Sequence, residues 1–346
     1  MVLKEDGFYN TDREYKTFSK PFIDSLHTFF PDGFNGTVLV YKQGKLFKKA
    51  FGKIGLTQSP EMAIDDIFQL ASVSKTVTAV ATLLLVQEDK LALDSLVLKY
   101  LPDFPYPNVS IRQLLTHRSG LANYIYTIDS FWHDSSKYMN QEDFYQYMKR
   151  SKPKPYLDPD VSFGYCNTNY AFLAYLISKI SGLPFNQFVE ERIFKPAGMR
   201  NSFYLGHKPE RIKARVLTGR FDRFEYNETY SIDGILGDKS LFSNVEDMLY
   251  FHLALSEGRL INKTLLNLMQ EASFQHNVYG GSYGLGFRLM KNHTGQWTYH
   301  NGWWRGFWTS FWNRFDKQVC VVVLTNNKHS SHVDKQALAN FVLTGR

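Results

Sequence analysis

The sequence predicts an α+β fold: an antiparallel sheet flanked by helices, with a mostly helical domain inserted within it. Three observations support this prediction. Strand-like patterns occur near both ends of the chain, in residues 37–51 and 283–325. The region between them, residues 93–234, consists mostly of helical patterns and loops. Strands and helices do not alternate along the chain, which argues against a parallel sheet with crossover helices.

Length and composition are those of a folded globular protein. The chain has 346 residues, of which 44% are apolar and 21% charged. We expect residues 1–92 and 235–346 to form one α/β sheet domain built from both termini. Residues 93–234 are expected to form the inserted helical domain, and the active site is expected between the two.

The first elements are a hairpin and a helix. Residues 37–41 and 45–51 flank Gln43-Gly44, which predicts a β-hairpin. From Ser72 to Glu88, apolar residues recur every three or four positions, which predicts a helix.

Two further helices are predicted downstream. Residues 170–177 begin a helix that Gly182 ends. Another helix opens at Ser243, where Glu246 three residues later completes a capping box, and it stops near Gly258.

The end of the chain returns to strands. Residues 283–289, 306–315 and 319–325 are predicted to be consecutive antiparallel strands, with a turn at 316–318 between the last two. Residues 334–343 are predicted to form a closing helix.

Charge and cysteine content exclude several classes of function. The net charge is +7, but the 40 basic residues are scattered among 33 acids, so we expect a solvated basic surface and no nucleic-acid partner. Cys166 and Cys320 are the only cysteines, which argues against a metal site or a disulfide framework. No apolar run reaches the ~18 residues of a membrane span, and the start carries no export signal.

The sharpest local motif is Ser72-Val73-Ser74-Lys75. Residues three apart share one face of a helix, so Ser72 Oγ and Lys75 Nζ can meet. A partly desolvated lysine can take the proton of a serine hydroxyl and make it a nucleophile. At the start of the helix, the Ser72 N–H is free to stabilise an oxyanion. The tetrapeptide alone is a common accident of spacing.

Two downstream motifs add polar groups. In Tyr165-Cys166-Asn167, the phenol can carry a proton beside an ammonium, and the Asn167 amide can bind both a lysine and a substrate carbonyl. The alternative is a packed loop tyrosine followed by helix caps. In His300-Asn301-Gly302, the glycine lets an edge strand approach a ligand, and the following Trp303 N–H can be a second oxyanion donor. The alternative is a strand entry with an exposed histidine.

In this order, the three motifs resemble those of the serine β-lactamase and penicillin-binding-protein family. The resemblance is to the branch that contains class C β-lactamases, D-alanyl-D-alanine carboxypeptidases and related esterases, whose second motif is Tyr-x-Asn and whose third is Lys-Thr-Gly or His-x-Gly. It extends over residues 36–326. Further similar stretches are residues 68–76, 114–121, 194–199, 283–286 and 321–326.

The resemblance implies a β-lactamase/transpeptidase-like fold and a serine hydrolase that cleaves an amide, peptide or ester bond through an acyl-enzyme, without a metal or cofactor. The catalytic residues it implies are Ser72, Lys75 and Tyr165. The supporting residues are Asn167, His300, Gly302 and Trp303, with Asn167 orienting Lys75 and substrate, His300 lining the opposite wall and the Trp303 N–H binding the oxyanion. The expected partner is a small-molecule or peptide substrate, and the expected location is the periplasm or another extracytoplasmic space, with the cytoplasm as the alternative.

Departures from the family pattern leave the substrate open. His300 replaces the lysine of class C β-lactamases, which argues against efficient antibiotic hydrolysis, and Trp303 and Trp304 suit a narrow or apolar pocket mouth. The segment 234–240 is less rich in glycine than the usual form in the family, so the sequence leaves its contribution to the site open. The alternatives are a carboxylesterase on the same scaffold and a slowly deacylating β-lactam or peptidoglycan sensor. The sequence leaves the physiological substrate and the oligomeric state undetermined.

Overall fold

A computed structural model describes residues 3–55, 59–128, 137–221, 224–226, 230–275, 281–328 and 332–345. The helices are α1 Lys20–His27, α2 Ser74–Gln87, α3 Ile111–Leu115, α4 Gln141–Ser151, α5 Asn167–Ser181, α6 Phe185–Val189, α7 Lys195–Ala197, α8 Val245–Ser256, α9 Lys263–Met269 and α10 Lys335–Thr344. The strands are β1 Gly36–Lys42, β2 Lys45–Phe51, β3 Phe68–Gln69, β4 Phe203–Tyr204, β5 Arg220–Phe221, β6 Phe224–Glu225, β7 Leu241–Ser243, β8 Phe274–Gln275, β9 Gly281–Tyr283, β10 Arg288–Asn292, β11 Gly295–Trp304, β12 Phe307–Arg314 and β13 Val319–Thr325.

Segments from both ends of the chain complete one antiparallel sheet. Its eight strands run in the order β2-β1-β13-β12-β11-β10-β9-β8. Strand β1 lies between its hairpin partner β2 and the last strand β13, with Thr37 opposite Leu324. The α+β prediction is therefore confirmed, while the division of the chain into domains stays a prediction.

The two faces of the sheet are covered by different helices. In β13, Val321 and Val323 pack on the side of α1 and α10, with Leu26 and Leu338. The intervening Cys320, Val322 and Leu324 belong to the larger core, which also contains the buried residues of α2, α5 and α8. Because β13 is covered on both faces, its sequence is a continuous apolar run.

The elements next to the predicted site form largely as expected. Helix α2 begins at Ser74, and the 3₁₀ turn Ala71–Val73 precedes it directly. Helix α5 begins at Asn167, three residues earlier than predicted, and ends at Gly182, which adopts the left-handed conformation at φ 72°.

Two sequence predictions were wrong in detail. Ser243 does not cap α8, because it ends β7 and its hydroxyl hydrogen-bonds Ser202; Asn244 caps the helix instead and accepts from the Asp247 N–H. Residues 283–289 are not one strand. A turn through Gly286, at φ 81°, separates β9 from β10 and pairs Tyr283 with Arg288.

The third motif lies on β11. This strand is flanked by β10 and β12, but β10 pairs with it only as far as Tyr299. From His300 to Trp304 one side of β11 has no β10 partner, so the predicted edge exists locally. Among the described residues, no helix is long and apolar enough to cross a membrane.

Candidate active site

Ser72 lies at the middle of the 3₁₀ turn Ala71–Val73, between the short strand β3 and helix α2. Ala71, the residue before it, has φ 49°, a left-handed conformation that costs a non-glycine residue about 1–2 kcal/mol. The buried packing of Ala71 and Val73 holds this turn in place. The strained turn presents Ser72 to an open cleft while its neighbours stay in the core.

Lys75 is fully buried and reaches Ser72 from the first turn of α2. Its Nζ lies 3.3 Å from Ser72 Oγ, 2.7 Å from Asn167 Oδ1 and 2.8 Å from the backbone oxygen of Asp238. The three contacts match the three donors of an ammonium, and all three acceptors are uncharged. The structure thus brings together Ser72, Lys75 and Asn167, which the sequence predicted as site residues.

Asn167 owes its position to helix α5. It is the first residue of that helix, and the neighbouring Thr168 hydroxyl donates to Ala122 O and accepts from the Tyr124 N–H. These bonds fix the start of α5 against the preceding loop. The Asn167 amide oxygen is consequently held toward Lys75.

Tyr165 presents its ring, and not its hydroxyl, to Lys75. The ring centroid lies 4.9 Å from Lys75 Nζ, and the ring of His117 lies 4.4 Å from it at an angle of 40°. The Tyr165 hydroxyl is buried and has no hydrogen-bond partner within the described part of the chain. His117 Nδ1 accepts from the Cys166 N–H, and burial holds the pKa of His117 well below its usual range. A neutral imidazole therefore backs Tyr165.

His300 does not line the cleft as expected. It is fully buried, its Nε2 lies 3.1 Å from the Tyr283 hydroxyl, and its Nδ1 lies 2.8 Å from the Asn301 carbonyl oxygen. The carbonyl can only accept, so Nδ1 carries the hydrogen and Nε2 accepts from Tyr283. Burial, with Arg288 and Lys75 nearby, holds the pKa of His300 well below its usual range. The imidazole is therefore a neutral support behind the site.

Gly302 permits a close approach between β11 and the turn that carries Ser72. A Cβ at this position would lie 2.4 Å from Leu70 O, 2.3 Å from Thr309 Oγ1 and 3.0 Å from Ala71 Cβ. Any larger residue would collide with the turn that carries Ser72, so Gly302 is required by this internal contact and not only by the approach of a ligand. The next residue, Trp303, lines the cleft with a side chain that is 64% exposed.

The segment 234–240 contributes more than the sequence suggested. Besides the Asp238 carbonyl that holds Lys75, it supplies Lys239, whose ammonium is fully buried within the site. Lys239 Nζ donates to the Tyr124 hydroxyl and to Ile232 O at 2.9 Å, and Tyr124 donates to Asp238 Oδ2 at 3.0 Å. Burial lowers the pKa of Lys239, while Asp238 and Asp233 act to raise it.

Sequence analysis missed Tyr124 and the roles of Asp238 and Lys239. The sequence analysis did single out the segment 234–240, and the signal within it was the adjacent charge pair Asp238-Lys239. Cys166, the residue between Tyr165 and Asn167, is buried, and burial raises the pKa of its thiol. A thiol held in its neutral form in the core has a packing role and is unreactive.

An open cleft of about 1020 Å³ runs over Ser72. Aromatic side chains form much of its wall, and two of them besides Trp303 are largely exposed: Tyr126 at 78% and Tyr156 at 63%. Among its described lining residues are three basic side chains, Lys239, Arg288 and Lys335, and no Asp or Glu. The charge of Lys239 is balanced by the nearby Asp238 and Asp233.

Residues 32–343 match the model of the Beta-lactamase family, and the chain belongs to this family. It is a serine hydrolase of the β-lactamase fold, as the family resemblance predicted.

Among similar proteins, penicillin-binding protein 4* of Bacillus subtilis is 30% identical over 336 residues, covering 90% of this chain and 73% of that protein. A D-aminopeptidase of Cereibacter sphaeroides is 26% identical over 319 residues, covering 91% of this chain but only 61% of its own length. The crystal structure of a penicillin-binding protein from Bacillus halodurans superposes with a TM-score of 0.78 at 25% identity, covering 91% and 99% of the two chains.

Proposed function

We propose that Ser72 is the nucleophile of this hydrolase and that Lys75 is the base that activates it. The observation that carries the proposal is the 3.3 Å contact between Lys75 Nζ and Ser72 Oγ, made at the floor of the cleft by a lysine fixed by two stronger bonds. Ser72 Oγ attacks the substrate carbonyl carbon, and a new C–O bond forms as the C–N or C–O bond to the leaving group breaks.

The surroundings of Lys75 suit a proton carrier. A neutral lysine amine has two N–H groups and one lone pair. The two N–H groups can stay on Asn167 Oδ1 and Asp238 O, which are the closer acceptors, while the lone pair accepts the Ser72 proton. No carboxylate bonds to Lys75 in the described chain, so loss of its proton leaves no bare anion behind. The proton then passes to the leaving group.

The tetrahedral oxyanion needs backbone donors. Ser72 lies in the turn before α2, where N–H groups lack intrahelical partners, and the part of β11 beyond Tyr299 is not paired with β10. We assign the two donors to the N–H groups of Ser72 and Trp303. Removal of one such donor typically costs about 10²–10³ in turnover.

Tyr165 is assigned to the proton transfers that follow the attack. Tyr165 lines the cleft, and its hydroxyl has no hydrogen-bond partner among the described residues, so we assign it to protonating a leaving amine or orienting the hydrolytic water when substrate is bound. Because fluoride leaves without a proton, Tyr165→Phe should slow turnover of an amide about 10²-fold more than it slows labelling by a fluorophosphonate. Equal losses in the two assays would remove Tyr165 from this role.

The substrate class we propose is an amide or peptide bond, in keeping with the penicillin-binding protein and D-aminopeptidase among the relatives. A carboxylesterase is the second candidate, favoured by the exposed aromatic rim of Tyr126, Tyr156 and Trp303. Parallel turnover of a D-alanyl-D-alanine peptide, a p-nitrophenyl ester and a chromogenic β-lactam ranks these classes. We expect the protein to act outside the cytoplasm, which cell fractionation with an antibody can test.

The nucleophile is tested by intact-mass spectrometry after treatment with a fluorophosphonate or a β-lactam. We expect one adduct on the wild type, located to Ser72 by peptide mapping, and none on Ser72→Ala. Ser256→Ala, which alters a hydroxyl on α8, is the matched control and should label normally. A wild type left unmodified by both reagents, or an adduct elsewhere, contradicts the proposal. Rapid loss of the β-lactam adduct indicates turnover of that acyl-enzyme, and its persistence indicates slow deacylation; the phosphonyl adduct is stable in either case and reports only the nucleophile.

A further inference from the structure

His117 lies two residues beyond the end of α3, in the stretch 114–121 that the proposed chemistry does not use. It is fully buried, and its φ of 56° is a left-handed conformation that residues other than glycine rarely adopt. Such strain persists where the surrounding contacts over-determine it, and it is common beside functional sites. This backbone conformation places both the carbonyl and the ring of His117 against residues 164–166.

His117 holds the backbone on both sides of Tyr165. Its carbonyl oxygen accepts from the Gly164 N–H at 2.9 Å, and its Nδ1 accepts from the Cys166 N–H at 3.1 Å. Its ring centroid lies 4.4 Å from that of the Tyr165 ring. One residue therefore fixes the main chain before and after Tyr165 and also packs on its side chain.

The Nδ1 atom of His117 has to remain an acceptor. Besides the Cys166 N–H, the side-chain nitrogen of Asn169 lies 3.3 Å from it, since the Asn169 oxygen accepts from the Ser119 hydroxyl at 2.6 Å. Two donors at Nδ1 place the hydrogen of the neutral ring on Nε2. A proton on Nδ1 would break both bonds, and burial, which holds the pKa of His117 well below its usual range, prevents this.

Two further aromatic rings enclose the imidazole of His117. The ring of Tyr170 lies 5.1 Å from it and the ring of Tyr283 lies 4.9 Å from it, and both tyrosines are buried. The Tyr165 hydroxyl, in contrast, has no hydrogen-bond partner among the described residues. Before substrate binds, the phenol therefore depends for its position on the backbone and ring that His117 holds.

We infer that His117 is a positioning residue for the Tyr165 phenol, and that it affects the reaction through the proton transfer assigned to Tyr165. The inference rests on the proposed function, because that function supplies the role of Tyr165. His117 itself is not among the described lining residues of the cleft. Misplacement of a reacting group by about 1 Å can cost up to about 10²-fold in rate.

The test compares two reactions of Ser72 in the same variants. One is turnover of an amide, either D-alanine p-nitroanilide or a chromogenic β-lactam, whichever the wild type hydrolyses faster. The other is labelling by a fluorophosphonate, whose fluoride leaves without a proton. We expect His117→Leu, which removes the acceptor and the ring, to lower the ratio of amide turnover to labelling by about 10-fold. His117→Asn keeps an oxygen near the position of Nδ1 and should restore most of that loss.

A matched control is His252→Leu, which alters another fully buried histidine, hydrogen-bonded to Asn313 at 2.7 Å. It should lower stability and leave the ratio unchanged. A general distortion of the second motif would also displace Asn167 from Lys75, and it would slow labelling as much as turnover. The ratio therefore separates positioning of Tyr165 from a merely structural role.

A double-mutant cycle with Tyr165→Phe gives the decisive result. Once the hydroxyl is absent, His117→Leu should lower amide turnover by less than about 2-fold further, because the group that it positions is gone. A folded His117→Leu with an unchanged ratio overturns the inference, and so does a loss that is equally large in the Tyr165→Phe background. If His117→Leu does not fold, Asn169→Leu, which removes one of the two donors to Nδ1, must show the selective fall, and its absence overturns the inference.

The outcomes also separate this inference from the proposed function. A selective loss in Tyr165→Phe without one in His117→Leu overturns the inference alone. Equal losses of turnover and labelling in Tyr165→Phe remove the role proposed for Tyr165, and the inference fails with it. A wild type that hydrolyses neither amide contradicts the proposed substrate class and the inference together, while labelling at Ser72 still reports on the nucleophile.

Discussion

Two buried lysines, Lys75 and Lys239, lie in the candidate active site, and their surroundings differ. Lys75 bonds to an amide oxygen, a backbone carbonyl and a hydroxyl, all uncharged. Lys239 Nζ lies 3.4 Å from Asp238 Oδ2, and the charge of a second carboxylate, Asp233, also acts to raise its pKa. Asp238 serves both, through its backbone oxygen for Lys75 and its side chain for Lys239.

The difference in surroundings determines how costly it is to remove a proton from each lysine. Removing a proton from Lys239 would leave the buried Asp238 carboxylate without its ammonium partner, which is costly. It would also weaken the compensation of Asp233, which keeps Arg305 at 3.7 Å. Removing one from Lys75 leaves only neutral neighbours with their hydrogen bonds intact. We therefore expect Lys75 to move protons and Lys239 to fix the backbone, and substitutions should tell the two roles apart.

The largest effect is expected for Lys75→Met. Loss of the base should lower turnover by about 10²–10⁴-fold, while the free energy of unfolding falls by only about 1–3 kcal/mol, because the partners left behind are uncharged. Ester hydrolysis and urea denaturation measure the two quantities. Lys179→Met alters an exposed lysine of α5 that pairs with Glu142 of α4; it is the control and should change neither quantity. A variant that keeps its turnover would show that Lys75 is not the base.

Lys239→Met should act mainly on stability. Removing one partner of a buried ion pair typically costs about 3–5 kcal/mol, so the midpoint of urea denaturation should fall well below that of Lys75→Met. If Lys239→Met and Lys75→Met are equally stable to urea, the proposed difference between the two lysines is contradicted.

The smallest effect concerns the coupling between Lys239 and Asp233. Burial raises the pKa of Asp233, and Lys239 opposes that rise. Asp233→Asn preserves an oxygen for the Trp304 indole N–H, 2.6 Å away, and removes the charge that Lys239 balances. In a double-mutant cycle with Lys239→Met, we expect a coupling free energy of about 0.5–3 kcal/mol from urea denaturation. Additive losses would show that Asp238 alone compensates Lys239.

Local patterns predicted much of the fold. The hairpin β1–β2 follows from alternation around Gln43-Gly44, and α2 from its apolar periodicity. The cap of α8 was misplaced by one residue because Ser243 and Asn244 are both good caps, and only the pairing of β7 commits Ser243 to a strand. The turn at Gly286 was missed, and one strand was predicted in its place, because the residues on both sides of it have strand-like character.

Site residues close to a motif could be located from the sequence, and those joined by long-range packing could not. Lys75 and Asn167 were predicted because each belongs to a recognisable motif. Their 2.7 Å contact nevertheless joins α2 and α5, which are far apart in the chain. The contact of Lys239 with Tyr124 depends on how the loop before α4 meets the segment before β7, which no spacing rule gives. The burial of His300 likewise depends on Tyr283, which lies two strands away on β9 of the same sheet.

The pairing of β1 with β13 has a consequence for biosynthesis. Thr37 emerges from the ribosome long before its partner Leu324, and the Ser72 turn long before Gly302, against which it packs. Such non-local contacts give a high contact order, so folding is expected to be slow and to wait for nearly the whole chain. The strained turn at Ala71 is held only once those late strands arrive. A nascent chain would therefore carry the serine and the lysine without the chemistry, and acquire it only as the C-terminal strands are added.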